Sequence, residues 1–237
     1  MPATKFSIDP RVFALLPGLR IAVIVARDID NSGALDLSAE FAEQERRLQE
    51  ELDGVELAQY PIIRGWRDAY KRFGEKHNRC SVEALIRRTV KGKLPPSINP
   101  LVDLYNVLSL TYELPYGGEN LDVLDEDIVL TFAEGDEEFI PLGETEVEHP
   151  PVGEIMYRSG KIVLCGSFNY RESDFTKIMP DGRNIVLFIE DVPETGAGVD
   201  KQREAAAALA EGIERHLGGR TLVALLDEEH PEVDLDW

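Results

Sequence analysis

The sequence has few cysteines and no long apolar run. Cys80 and Cys165 are the only cysteines among 237 residues, too few for a disulfide framework and typical of a protein from a reducing cytosol. The first residues lack a basic segment followed by an apolar run, so they do not resemble a signal peptide. No apolar stretch approaches the roughly 20 residues that a membrane-spanning helix needs. The composition therefore predicts a soluble cytoplasmic protein that is long enough to bury a full core.

Common signatures of nucleotide, zinc and nucleophile sites are also absent. The chain contains no G-x-G-x-x-G, G-x-x-x-x-G-K-[ST], H-E-x-x-H, C-x-x-C or G-x-S-x-G motif, each of which encodes a site of known chemistry. Its four histidines are scattered, without metal-ligand spacing. Cys165 stands in a predicted strand, where a cysteine is usually a small buried hydrophobe rather than a nucleophile. We therefore expect neither a metal site nor a cofactor.

Basic residues are scarce and unevenly distributed. The formal charge is −20, from 45 acidic and 25 basic residues, which argues against general DNA binding and against attachment to an anionic membrane. Between residues 64 and 93, however, ten Lys or Arg stand against three acids, a local charge of +7. This basic segment is either two helices with solvated basic faces or the place where a polyanion binds. The candidates for RNA binding are Arg64, Arg67, Arg87, Arg88, Lys91 and Lys93.

Apolar periodicity predicts an α+β fold, with helices mostly early and strands mostly late. We predict helices over 38–54, 66–74, 81–92, 99–112 and 200–217. We predict strands over 18–29, 127–133, 137–142, 153–168 (a hairpin), 184–191 and 221–226. One domain is expected over residues 1–228, with a helical half of about 1–96 and a β-rich half of about 97–228 that holds a pocket. The acidic residues 229–237 are expected to form a loose tail.

The segment from 97 to 122, SINPLVDLYNVLSLTYELPYGGENLD, mixes an apolar helix with short polar side chains. Asn99 followed by Pro100 is typical of a helix start, and Asp103 is a candidate to fix the local backbone. Burial of an apolar face does not account for Asn106, which follows among valines and leucines. Nor does it account for the Pro-Tyr-Gly-Gly sequence that ends the helix.

Two motifs in this segment, NPLVDLYN (99–106) and LPYGGENLD (114–122), carry a family resemblance. They are similar to motifs of the B3/B4 domain of the bacterial phenylalanyl-tRNA synthetase β subunit. Residues 153–191 resemble the second half of that domain, and the similarity is clearest from about 97 to 190. The resemblance implies a B3/B4-like fold, with antiparallel or mixed sheets and helices packed on one side. Because no synthetase motif accompanies it, the resemblance is to a free-standing B3/B4 protein.

In that family the domain edits translation errors by hydrolysing tyrosine that is wrongly esterified to the phenylalanine tRNA, without a metal or a covalent nucleophile. The resemblance therefore implies a trans-editing aminoacyl-tRNA deacylase that binds the aminoacylated 3′ end of tRNA. The family's pocket asparagine falls on Asn106 and its late-strand glutamate on Glu190, the two candidate catalytic residues. Where the family has a histidine, this chain has Tyr116-Gly117. The candidate substrate-binding residues are Asn99, Asp103, Tyr116, Gly117, Gly166, Asn169, Arg171, Thr176 and Lys177.

The chemistry does not require that histidine, because an aminoacyl ester is already activated and a positioned water can suffice. Glu190 is expected to bind the α-ammonium group or to orient the water, and Asn106 or a backbone N–H to stabilise the oxyanion. Arg171 and Lys177 are candidates for the terminal phosphates. Two alternatives stay open: a non-catalytic module that binds tRNA or an amino acid, and a hydrolase of small amino-acid esters that never contacts RNA.

Overall fold

A computed structural model describes residues 3–75 and 77–236 of the chain. Lys76, which belongs to the predicted basic segment, and Trp237, which ends the predicted tail, lie outside the described residues. The described helices are α1 (Pro10–Leu15), α2 (Ser38–Glu51), α3 (Pro61–Arg72), α4 (Ser81–Thr89), α5 (Pro100–Tyr112) and α6 (Gly198–His216). No helix of these two ranges is long and apolar enough to cross a membrane.

The strands form two sheets. They are β1 (Lys5–Ile8), β2 (Arg20–Arg27), β3 (Tyr116–Asn120), β4 (Ile128–Phe132), β5 (Ile155–Ser159), β6 (Ile162–Gly166), β7 (Arg171–Glu172), β8 (Ile185–Asp191), β9 (Arg220–Leu226) and β10 (Glu232–Asp234). A six-stranded sheet has the order β10-β1-β4-β5-β6-β7, and a four-stranded sheet has the order β3-β8-β2-β9. All pairings are antiparallel except that of β1 with β4, which is parallel.

Strand β2 lies in the middle of the molecule and is buried on both faces. Ile21 and Val23 face a core that both sheets share, whereas Ala22 and Ile24 face a second core that α5 and α6 cover. Successive side chains of a strand point to opposite faces, so a strand with two buried faces needs apolar residues at every position. This requirement explains the uninterrupted apolar run that predicted the strand from sequence.

Helices α5 and α6 pack on the outer face of the four-stranded sheet. Asn99 caps α5 by accepting a 3.0 Å hydrogen bond from the Val102 amide, and Pro100 occupies the first turn. A Cβ at Gly212 of α6 would lie 3.0 Å from the Leu104 side chain of α5, so the two helices approach closely there. Helices α1, α3 and α4 instead contribute apolar side chains to the core that the sheets share.

The α+β class is confirmed, but two local predictions are wrong. Residues 137–142 form only isolated bridges, to residues 148, 162 and 173, rather than a strand. The acidic end is not loose over its whole length, because β10 pairs with β1 and Leu235 is fully buried. The edge of β1 offers unpaired backbone groups, which β10 satisfies.

Candidate functional site

A small polar cavity lies between the two sheets, where β3 and β8 of one sheet face β5, β6 and β7 of the other. Its volume is about 10 Å³, which is room for about one water molecule. We call it the inner cavity. The described residues that line it are Tyr116, Gly117, Gly118, Glu119, Tyr157, Cys165, Asn169, Glu172, Phe188 and Glu190.

Glu190 reaches the inner cavity from β8. The strand alternation turns Glu190 and Phe188 toward the shared core, while Ile189 faces the helices. The Tyr157 hydroxyl donates a 2.9 Å hydrogen bond to Oε1 of Glu190. The second oxygen, Oε2, is buried and makes no hydrogen bond with the described residues. Burial raises the pKa of Glu190 to about 7, against the opposing effect of Tyr157 and the nearby Asn169 amide.

Asn169 is placed by a strained turn after β6. Ser167 and Phe168 both have positive φ, 48° and 64°, a conformation that costs energy for residues other than glycine. The turn is held by packing, since the Phe168 ring stacks on Tyr157 with 6.0 Å between centroids. The Tyr70 hydroxyl donates a 2.7 Å hydrogen bond to Oδ1 of Asn169. The amide nitrogen Nδ2 is buried and forms no short hydrogen bond within the described residues, but it lies close enough to Glu190 to favour the ionised carboxylate.

Two further glutamates meet at the inner cavity and were not predicted from sequence. Glu119 on β3 and Glu172 on β7 bring their carboxyl groups into hydrogen-bonding contact. Burial and the neighbouring carboxylate raise the pKa of Glu119 well above its usual range, and burial also raises that of Glu172 to about 7. Two carboxyl groups in contact share a proton at neutral pH, since like charges this close disfavour each other. The residues are distant in sequence, and only the pairing of strands across the core brings them together.

The paired glycines make this contact possible. A Cβ at Gly117 would lie 3.0 Å from Oε1 of Glu172, so the missing side chain leaves room for that carboxylate. A Cβ at Gly118 would lie 2.9 Å from the Val186 carbonyl oxygen on the adjacent strand. Real Cβ atoms essentially never approach backbone as closely as at Gly118, so that position requires glycine for packing, whereas a side chain at Gly117 would displace the Glu172 carboxylate. The first glycine of the Pro-Tyr-Gly-Gly sequence thus leaves the room in which the Glu172 carboxylate lies.

A larger cleft opens outside Glu172. We call it the outer cleft; its volume is about 270 Å³. The described residues that line it are Ile98, Asn99, Val102, Tyr105, Gly118, Leu142, Glu172, Lys177, Ile178, Met179 and Pro180. Ile98, Leu142 and Met179 are exposed although apolar. Glu172 and Gly118 line both the cleft and the inner cavity, so Glu172 stands at the junction between the two spaces.

The structure brings several predicted site residues together. Tyr116, Gly117, Asn169 and Glu190 line the inner cavity. Asn99 and Lys177 line the outer cleft, where Asn99 Nδ2 also donates a 3.0 Å hydrogen bond to the Ile178 carbonyl. Thr176 is fully buried beside the Glu119 carboxyl, where its hydroxyl opposes the rise in the pKa of Glu119.

Four predicted site residues line neither space and lie apart from both, namely Asp103, Asn106, Gly166 and Arg171. Asn106 is half-buried on α5, one turn beyond Val102, and lines neither cavity. Asp103 accepts hydrogen bonds from Ser97 Oγ and the Ile98 amide, so it fixes the backbone before α5. Gly166 faces away from Cys165, and its Cβ position lies 3.3 Å from Glu154.

Arg171 does not reach either space. Its guanidinium group binds the Glu148 carboxylate at 2.9 and 3.1 Å and stacks over the Phe139 ring, 5.2 Å from the centroid. Lys177 binds both oxygens of Asp174 at 2.8 Å. Both predicted phosphate ligands therefore have acidic partners within the chain.

The basic segment divides into paired and unpaired residues. Arg67 and Arg87 bind the buried carboxylate of Glu83, at 2.6 and 2.9 Å. Arg64 is exposed at the edge of a cavity of about 430 Å³ formed by residues 58–79. Within the basic segment, the exposed cations that form no ion pair with the described residues are Arg64, Arg88, Lys91 and Lys93. These four remain the candidates for a polyanion.

The chain is similar to known proteins in its structure and in its sequence. Among solved structures, an N-terminal fragment of the phenylalanyl-tRNA synthetase beta-subunit from Pyrococcus horikoshii matches with 13% sequence identity and a TM-score of 0.45. The match covers 94% of this chain and 54% of that one, so this chain spans about half of its length. No curated protein matches significantly. The family model for the B3/4 domain matches residues 65–219, and the chain therefore belongs to the B3/4 domain family.

Proposed function

We propose that this protein hydrolyses the ester bond of a misacylated tRNA, with Glu190 as the general base. One observation carries the proposal. Tyr157 holds one oxygen of the buried Glu190 carboxylate, the other oxygen makes no short hydrogen bond with the described residues, and Glu190 lines a cavity the size of a water molecule. A base with a pKa near 7 is well suited to accept a proton at neutral pH.

In the proposed reaction, Glu190 accepts a proton from water while the water oxygen attacks the ester carbonyl carbon. The carbonyl oxygen becomes an oxyanion, which the Asn169 Nδ2 donor stabilises. Asn169 takes this role in place of Asn106, because Asn169 lines the inner cavity and Asn106 does not. When the intermediate collapses, the bond to the ribose oxygen breaks and that oxygen receives the proton held by Glu190. The products are a free amino acid and a deacylated tRNA.

Different parts of the substrate would occupy the outer cleft and approach the inner cavity. The inner cavity has no room for an amino-acid side chain, whereas the outer cleft of about 270 Å³ does. The side chain would occupy the outer cleft, with its ester directed past Glu172 toward Glu190. Membership of the B3/4 family and the unpaired cations of the basic segment support tRNA as the carrier of the ester.

Deacylation of a panel of mischarged tRNAs tests the proposal. We expect hydrolysis above the spontaneous rate on at least one member, and a loss of about 10²–10⁴-fold in Glu190→Gln, the usual effect of removing a general base. Glu138→Gln removes an exposed carboxylate that lines neither space and should have no effect. No turnover on any tRNA, or equal turnover in Glu190→Gln, would contradict the proposal.

Salt dependence separates tRNA from a small ester as the substrate. Deacylation that depends on RNA contacts should weaken steeply between about 50 and 200 mM salt, because released counterions drive the binding. Hydrolysis of an amino-acid methyl ester should respond little. If only the methyl ester is hydrolysed, and without a salt effect, the RNA part of the proposal is wrong.

A further inference from the structure

Glu172 joins a polar interior to an apolar cleft. On its inner side, Glu172 contacts the Glu119 carboxyl. On its outer side, it lines a cleft whose walls include Val102, Ile178 and Pro180. A ligand that lay in this cleft would present an apolar part to the walls and a polar end to a carboxylate.

The polar interior has unused hydrogen-bonding capacity. Glu119 Oε2 and Thr176 Oγ1 are both buried without a short hydrogen bond within the described residues. Glu119 is 2% exposed and Thr176 is 0%. Buried polar atoms without partners are rare in folded proteins and each calls for a reason. Both atoms can accept a hydrogen bond, so they suit a ligand group that carries several donors.

We propose that Glu172 binds the ammonium group of an amino-acid ester whose apolar side chain lies in the outer cleft. The inference rests on the proposed function for the ester, but it adds the class of amino acid and the residue that recognises its amine. An ammonium group has three donors and no acceptor, which matches the cluster of unused oxygens. The cleft's apolar walls favour a bulky apolar side chain over a polar one.

The ammonium group would replace a proton. The carboxyl pair of Glu119 and Glu172 shares a proton when no cation is present, and an ammonium group beside Glu172 favours its ionised form. Binding at pH 7 should therefore release protons to the solvent. The titratable and charged groups that face Glu172 are Glu119 on β3, Tyr157 on β5, Cys165 on β6, Glu190 on β8, Tyr105 on α5 and Lys177.

Calorimetry with L-phenylalaninol tests the inference on the full chain. This amino alcohol has the ammonium group and an apolar side chain but no ester, so its binding does not depend on hydrolysis. Two controls each lack one feature: 3-phenylpropan-1-ol lacks the amine, and ethanolamine lacks the side chain. We expect L-phenylalaninol to bind at least tenfold more tightly than either. Titration in buffers with different ionisation enthalpies should show proton release at pH 7 that declines as pH rises toward about 8, where Glu172 is already ionised in the free protein.

Variants locate the site. Glu172→Gln should weaken L-phenylalaninol at least tenfold and abolish proton release, whereas Glu190→Gln should retain most of the release. Met179 is exposed at the cleft mouth, so Met179→Lys should repel the ammonium group without disturbing the core, and Met179→Gln serves as its matched control. Equal binding of 3-phenylpropan-1-ol, or unchanged binding by both Glu172→Gln and Met179→Lys, would overturn the inference.

The outcomes also separate the inference from the proposed function. If mischarged tRNA is hydrolysed but L-phenylalaninol does not bind, the assignment of Glu172 is wrong and the deacylase proposal stands. If L-phenylalaninol binds with proton release but no ester is hydrolysed, the assignment stands and the deacylase proposal is wrong.

Discussion

The hydroxyl of Tyr157 on β5 donates a 2.9 Å hydrogen bond to Oε1 of Glu190 on β8. The bond crosses from the six-stranded sheet to the four-stranded sheet, and the Tyr157 ring also stacks on Phe188, 4.9 Å between centroids. Packing of the ring thus holds the Tyr157 hydroxyl in place, and the hydroxyl positions the Glu190 carboxylate. Because the bond stabilises the ionised form of Glu190, it opposes the effect of burial on the pKa.

Tyr157→Phe should shift the pH dependence of deacylation toward higher pH. Glu190 acts as a base only when ionised, so activity rises with pH through its pKa of about 7. Loss of the hydrogen bond raises that pKa further, by about one unit for a bond to a charged group. A pH profile of kcat/KM measures the shift. Tyr170→Phe alters an exposed tyrosine and should leave the profile in place; an unshifted profile in Tyr157→Phe contradicts the role given to the bond.

The stability of Glu172→Gln should fall less with rising pH than the stability of the wild-type protein does. The folded-state pKa of Glu172 is about 7, above its ordinary value of 4.5. The contribution of Glu172 to the free energy of unfolding is therefore largest below pH 4.5 and is lost as pH rises through about 7. Glutamine cannot ionise, so the difference in stability between variant and wild type should grow by about 1–3 kcal/mol from roughly pH 5 to pH 8.

Urea unfolding at several pH values measures that difference. Glu138→Gln, an exposed carboxylate, provides the control and should show no such trend. A pH-independent difference between Glu172→Gln and wild type would show that Glu172 does not titrate near neutrality.

Alanine at the two adjacent glycines should have separable effects. Gly118→Ala places Cβ 2.9 Å from the Val186 carbonyl oxygen, and backbone cannot move aside, so we expect a loss of about 1–3 kcal/mol in stability. Gly117→Ala meets only the Glu172 carboxylate, which can rotate, so stability should change less and L-phenylalaninol binding more. Gly33→Ala meets nothing within 4 Å and should be neutral. Equal stability losses at positions 117 and 118 would contradict this assignment.

Charge reversal in the basic segment should weaken tRNA binding. Arg88→Glu with Lys91→Glu alters two exposed cations without ion pairs in the described ranges. We expect lower affinity and a shallower dependence of log affinity on log salt, by roughly one unit for each phosphate that is no longer bound. Arg203→Glu with Arg215→Glu makes the same charge change on α6 and serves as the control. Filter binding across a salt series measures both; equal losses of affinity in the two double variants would indicate a general charge effect rather than a site.

The sequence predicted the elements whose pattern is local. The apolar run of β2, the hairpin of β5 and β6 with its turn at Gly160 and the Asn99-Pro100 start of α5 each follow from neighbouring residues. The prediction of a strand over 137–142 was wrong because its residues pair singly with three separate segments. A short stretch of sequence does not show such pairings. The short strand β10 was missed for a related reason, since only the exposed edge of β1 makes it a strand.

The sequence was enough to predict the family and four residues that line the inner cavity, Tyr116, Gly117, Asn169 and Glu190, because these residues stand in segments that resemble the family. Which residues share a space with that glutamate depends on the folded chain. Asn169 is brought there by a strained turn, Glu172 by the gap that Gly117 leaves, and Glu119 by the pairing of β3 with β8. A buried carboxyl group also acquires its pKa from the absence of water around it. That property belongs to the packed core and to no residue alone.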